Sequence, residues 1–231
     1  MKRAQYVAWR AESFTVDQAE ELPMYNILGS IALAYLADNL RFLTFFGEPS
    51  AMAPFAWRIG MHHLTLIYAE FGADKANEFG PILLGGNPAK TMWDGEEKIA
   101  LGLYAALTPE ELKDITARNK GVTSGSGAAM GKASVRIGDL NEKARKLAGQ
   151  LLQKRLDVFS IDRRQIMEDL LKRDGGVENL RLAIWGSITK LHLDGGSYHW
   201  RIGNESIVCD WQTAGKNHIH MTLRGRFKSP T

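Results

Sequence analysis

The sequence predicts an α+β fold: a mainly antiparallel sheet built from N-proximal and C-terminal hairpins, with helices packed on it. Three observations carry this expectation. The stretch "FAWRIGMHHLTLIYAEF" from Phe55 to Phe71 places two extended, aromatic-rich arms around a short turn at Gly60 and Met61, which is a hairpin pattern. The region from Tyr198 to Leu223 returns to strand patterns. Residues 94–175 between them carry helical periodicity, so they read as an insertion between two sheet halves of a single domain spanning 1–231.

Taken in order, apolar residues at helical spacing from Asp17 to Phe45 predict one or two helices, and "GEPSAMAP" (Gly47–Pro54) predicts a loop before the first hairpin. The glycines and prolines of "GPILLGGNPAK" also predict a loop. "GEEKIALGLYAAL" is helical, and "TPEELKDITARN" opens a second helix with Thr108 as N-cap and Pro109 in the first turn. "GVTSGSGAAMG" (Gly121–Gly131) reads as a flexible segment. Two amphipathic helices follow, with Asp139 and Ser160 as expected N-caps and Gly175 as a stop.

Composition narrows the function classes. The 231 residues include 29 basic and 26 acidic side chains, a net charge of +3 that is too even for a nucleic-acid binder. The most apolar stretch, Ile27–Ala37, is well short of the ~20 residues a membrane helix needs. Arg10 and Glu12 interrupt the start before a signal-peptide core can form, and Cys209 is the only cysteine, so a cytoplasmic protein without disulfides is expected.

Two patterns reach beyond local structure. Trp-Arg-Ile-Gly occurs at 57–60 and again at 200–203, each followed by a β-rich run. Chance between two similar hairpins and a true structural echo are both open; an echo places the two hairpins in one antiparallel sheet. The histidines cluster as well: His62 and His63 lie in the first hairpin, while His192, His199, His218 and His220 lie near the end. On a strand, His218 and His220 project from one face and can share one ion, whereas adjacent His62 and His63 face opposite sides, so one of them at most joins the same site. Neutral imidazoles suit Zn, Fe or Cu. Ordinary sheet histidines are the alternative.

Other motifs fail on detail. "SGAAMGKA" lacks the first glycine of a phosphate-binding loop, where Ser126 stands, and its final hydroxyl, where Ala133 stands. Ser, Thr and Cys show no nucleophile motif.

The segments "FFGEPSAMAPFAWRIGMHHLTL", "ILLGGNPA", "LAIWGS", "YHWRIGNESIVCDW" and "NHIH" followed by Arg224 together resemble the domain of unknown function 3500 family, mostly bacterial proteins of uncharacterised activity. The resemblance runs in order from about Phe45 to Arg224. It implies a characteristic polar set of His62, His63, Asn217, His218, His220 and Arg224, with Asp210 at a position where members carry an acid. The chain departs from that pattern at Ile67, where asparagine is common, and at Gly225, where aspartate often follows the arginine.

These readings converge on a metal-dependent enzyme. His63, His218 and His220, with His62 as the alternative neighbour, would hold a divalent transition metal, Zn, Fe or Cu. Asp210, as general base or fourth ligand, and Arg224 are the catalytic candidates; Arg58, Arg201 and Asn217 are the substrate-binding candidates. Hydrolysis is preferred because it needs only the metal, its water and a carboxylate. An oxidoreductase, or a non-catalytic binding or assembly protein with structural histidines, is the alternative. The expected partner is a small, anionic substrate, with no nucleic acid or membrane, and homo-oligomers are left open.

Overall fold

Among the described residues, nine antiparallel strands form one sheet in the order β1-β2-β3-β4-β9-β8-β7-β6-β5. The computed structural model describes residues 42–46, 55–60, 64–70, 79–86, 93–119, 134–157, 161–204, 206–213 and 218–225. The strands are β1 (Phe42–Phe46), β2 (Phe55–Gly60), β3 (Leu64–Glu70), β4 (Phe79–Gly86), β5 (Val135–Arg136), β6 (Arg181–Gly186), β7 (Tyr198–Gly203), β8 (Ile207–Thr213) and β9 (Ile219–Gly225). Between β4 and β6 lie α1 (Asp94–Ala106), α2 (Pro109–Asn119), α3 (Glu142–Leu156) and α4 (Ile161–Arg173). The fold is α+β, as the hairpin patterns and helical middle predict.

The sheet consists of two four-stranded meanders, β1–β4 and β6–β9, joined along β4 and β9, with β5 added at one edge. The Trp-Arg-Ile-Gly segments are β2 and β7, the second strand of each meander. Their partners correspond: Trp57 lies opposite Tyr68 and Trp200 opposite Trp211, while Ile59 lies opposite Leu66 and Ile202 opposite Cys209. One register row crosses both halves: Leu43, Ile59, Leu66, Ile82, Leu223, Cys209, Ile202 and Leu182. It is symmetric about the Ile82–Leu223 pair, so an approximate two-fold normal to the sheet relates the halves. The sequence echo is therefore an internal structural repeat.

Three local expectations are corrected. Phe42–Phe46 is a strand, not the end of a helix, because a short run such as "FLTFF", apolar but for Thr44, has too little periodicity to separate the two. "FGPILLGG" is a strand between β3 and β9 instead of a loop. Pro81 is tolerated there because β4 carries an extra residue: Ile82 and Phe79 face Leu66 and Tyr68 on one side, and Leu223 and Gly225 on the other. A bulge is where a residue without an N–H fits a central strand. Finally, Asn141, not Asp139, caps α3, its side chain accepting from the Ala144 N–H at 3.0 Å. Asp139 ends a preceding 3-10 turn. The expected segments at Asp17–Arg41, Gly121–Gly131 and Ser160 lie outside the described residues.

Other helix signals behave as expected. Thr108 and Glu111 form a reciprocal capping box at the start of α2, and Gly175 follows α4 with φ 88°. Among the described residues no helix is long and apolar enough to cross a membrane.

Strand alternation directs Trp200, Ile202, Cys209, Trp211, Met221 and Leu223 to one face, where they join the helices in the core. Trp93 at the start of α1 meets Trp211 edge-on at 6.2 Å, and Trp211 stacks on Trp200 at 6.3 Å. Charges at the start of α1 are drawn into this interior. Glu97 accepts from the His192 backbone N–H at 3.0 Å, from His192 Nδ1 at 2.5 Å and from the Tyr198 hydroxyl. Its neighbour Glu96 faces buried Arg155 at 3.4 Å. The helix N-terminus favours both carboxylates.

Cys209 is fully buried, and burial pushes its thiol up to about 12. The native protein is therefore expected to resist an aromatic disulfide reagent at pH ~8, because the thiolate is the nucleophile. Release of one thiol equivalent only after urea unfolding is the expected readout; fast labelling of the native state would contradict this burial.

Candidate functional site

The sheet face opposite the core is polar in the C-terminal meander. Alternation places His199 and Arg201 of β7, Asp210 and Gln212 of β8, and His220 and Thr222 of β9 on that side. Register then arranges them in two rows, His199–Gln212–His220 and Arg201–Asp210–Thr222. The next residue along the first row is Gly85 of β4, opposite His220.

His218 and His220 converge. Their Nε2 atoms are 2.9 Å apart, and the rings meet at right angles with centroids at 4.6 Å. Both residues are partly buried. The strand therefore turns both ring tips toward one point, as the His-x-His spacing predicts.

Asp210 belongs to a second group. Arg201 grips it with two donors, Nε at 2.5 Å and Nη2 at 2.8 Å, and His199 Nε2 lies at 3.0 Å. Burial pushes the Asp210 carboxyl up, but the hydrogen bonds and charges of His199 and Arg201 outweigh it and hold the group below the ordinary carboxylate range. Arg201 and His199 are each 6% exposed, so this is a buried ion pair with a third donor. His199 Nδ1 is buried with no hydrogen-bond partner among the described residues, which favours the tautomer with its proton on Nε2, since an orphaned lone pair costs less than an orphaned N–H. The Trp185 ring lies against the His199 ring at 4.8 Å.

The structure thus brings His218 and His220 together and sets Asp210 with Arg201 and His199. Among the described residues no group of three or more metal-ligating side chains gathers. His62, His63 and Asn217 lie outside the described residues, and Arg58 and Arg224 are placed only by register, opposite Ile67 and Val208. Strand β3 begins at Leu64, immediately after His63, and Leu64 pairs with Leu84, the neighbour of Gly85. His199 and Trp185 were not singled out by sequence. The available signal was position: His199 precedes the second Trp-Arg-Ile-Gly, where Ala56 precedes the first. The repeat also exposes an asymmetry, since Arg201 lies opposite Asp210 but Arg58 opposite Ile67.

Fold and site define an α+β protein in which one antiparallel sheet carries a helix layer on one face and a histidine, aspartate and arginine set on the other. The profile described as "Protein of unknown function (DUF3500)" matches residues 13–227, and the chain belongs to that family. No curated protein and no solved structure matches the chain.

Proposed function

We propose that this protein is a metal-dependent hydrolase whose divalent ion is held by His218 and His220 with His63, or His62, as third ligand. The observation that carries the reading is the 2.9 Å approach of the two Nε2 atoms. At metal–nitrogen distances of about 2.0–2.1 Å this separation subtends roughly 90° at a shared ion, and an opening of ~0.4 Å reaches the tetrahedral angle. His63 is taken as third ligand on its place in the sequence, directly before Leu64, whose register partner Leu84 adjoins Gly85, opposite His220. Gly85 itself adds no side chain between the two strands.

A bound divalent ion at this place would polarise a substrate carbonyl or phosphoryl oxygen and lower the pKa of its water. Asp210 is held ionised by two strong partners, which makes it a poor proton acceptor at neutral pH. The proposal therefore gives it an orienting task on Arg201 and His199. Arg58 is the better candidate to meet an anionic substrate, because its register partner Ile67 carries no charge while Arg201 is engaged by Asp210. One second reading is oxidative chemistry, since imidazole ligands such as His218 and His220 would suit iron or copper as well as zinc.

Elemental analysis of protein purified under metal-replete conditions tests the centre. Near-stoichiometric metal is expected in the wild type, with most of it lost in His218→Ala and in His220→Ala. Asn217→Ala should weaken binding only about 10- to 100-fold, as groups that support ligands do. If the wild type carries no metal and the histidine variants only shift stability by roughly 1 kcal/mol, the histidines are sheet residues and the proposal fails. Zinc would support hydrolysis, iron or copper the oxidative reading.

A further inference from the structure

A cleft of about 780 Å³ lies between α1, α2 and the end of β6, and none of the histidine or aspartate residues of the proposed site lines it. Its volume falls in the range of small-molecule sites, roughly 300–1,000 Å³. Four of its lining side chains are large and apolar or aromatic: Tyr104 of α1, Leu112 of α2, and Ile184 and Trp185 of β6. Tyr104, Leu112 and Trp185 are only partly buried, so each has surface left to present. Among the described residues Lys113 is the single charged one lining the cleft; it is exposed, and it forms no ion pair with them. Thr116, one turn further along α2, adds a hydroxyl beside it.

We propose that this cleft binds a small, flat, largely apolar molecule carrying one anionic group, of the chemical class of an aromatic carboxylate. Tyrosine and tryptophan offer flat faces that suit a planar ring at little conformational cost. The anionic group would meet Lys113 and the Thr116 hydroxyl at the solvent side. An exposed ion pair contributes little, so the lysine is expected to set discrimination of up to about fivefold and the apolar walls most of the affinity. The site stands independently of the metal centre, whose histidines do not line it.

The probe is 2-naphthoate, titrated by calorimetry into the full chain. A ligand of this size is expected to bind at one site with Kd on the order of 0.1–1 mM. The neutral isostere 2-naphthylmethanol should bind about fivefold more weakly, and Lys113→Glu should weaken the naphthoate about tenfold or more by replacing attraction with repulsion. Thr116→Trp, which fills the cleft from an exposed helix position, should abolish binding. Because Trp185 also lies 4.8 Å from His199, occupancy should shift the His199 ring resonances. His218→Ala should leave binding intact, which separates this proposal from the metal reading. Melting temperatures close to wild type would show that the variants are folded. Absence of saturable binding to the wild type, or binding unchanged in both Lys113→Glu and Thr116→Trp, overturns the proposal.

Discussion

Glu97→Ala is expected to destabilise the protein by about 3–5 kcal/mol, because it leaves several buried donors without their acceptor. Glu97 is 1% exposed and accepts three donors: the His192 backbone N–H, the His192 ring and the Tyr198 hydroxyl. Truncation leaves all three buried in the core without their acceptor, and each orphaned donor costs about 1–3 kcal/mol. Partial collapse and water entry would recover some of that sum. Tyr198→Phe removes one donor but leaves Glu97 Oε1 accepting from the His192 backbone N–H, so a smaller loss of about 1–2 kcal/mol is expected. The Glu97 carboxylate also holds the Tyr198 hydroxyl well above its ordinary range, although burial contributes more. Urea unfolding of the two variants measures both values. A loss below ~1 kcal/mol in Glu97→Ala would mean that α1 does not anchor on the sheet through this carboxylate.

Asp210→Ala is expected to cost a similar ~3–5 kcal/mol, since it strands the Arg201 guanidinium, 6% exposed, on the sheet without its counter-charge. Asp210→Asn should cost less because the amide oxygen still accepts one donor. The carboxyl also gives a pH signature. Its folded pKa lies below the unfolded value of about 3.9, so its contribution is complete above that value and fades as pH falls through the folded pKa. Wild type should therefore lose stability below pH ~4 more steeply than Asp210→Asn, by up to about 1.4 kcal/mol per pH unit. Glu111 and Asp174 are also held low, against the opposing effect of burial, so the wild-type-minus-variant difference is the quantity to follow. Parallel acid profiles for the two proteins would show that Asp210 does not couple protonation to folding.

Much of the architecture is legible in residue patterns because period, caps and turns are local. The pairing of β2 with β3, the capping box at Thr108 and the stop at Gly175 all depend on residues close in sequence, although Gly60, expected in the turn, ends β2 and pairs with Thr65. The second Trp-Arg-Ile-Gly shows what each position does: Trp200 and Ile202 enter the core and Arg201 holds Asp210. Gly203 lets the Ile207 carbonyl come within 2.2 Å of where a Cβ would stand. "FGPILLGG" defeated local reading because Gly80 and Pro81 are turn residues anywhere except at a bulge, and a bulge exists only when strands lie on both sides.

For the site, the sequence by itself determined that His218 and His220 share a face, since alternation is a property of any extended chain. It also determined the helical middle and the balanced charge, whereas the Trp-Arg-Ile-Gly echo became a repeat only through the shared strand register. Only the tertiary structure decided that Asp210 sits with Arg201 and His199, and that Trp185 lies against His199 beside the α2 cleft. The reason is register. Which residue faces which across two strands depends on turn lengths and on the packing of Trp200, Trp211 and Met221 against the helices, and a slip of one residue would have sent Asp210 into the core.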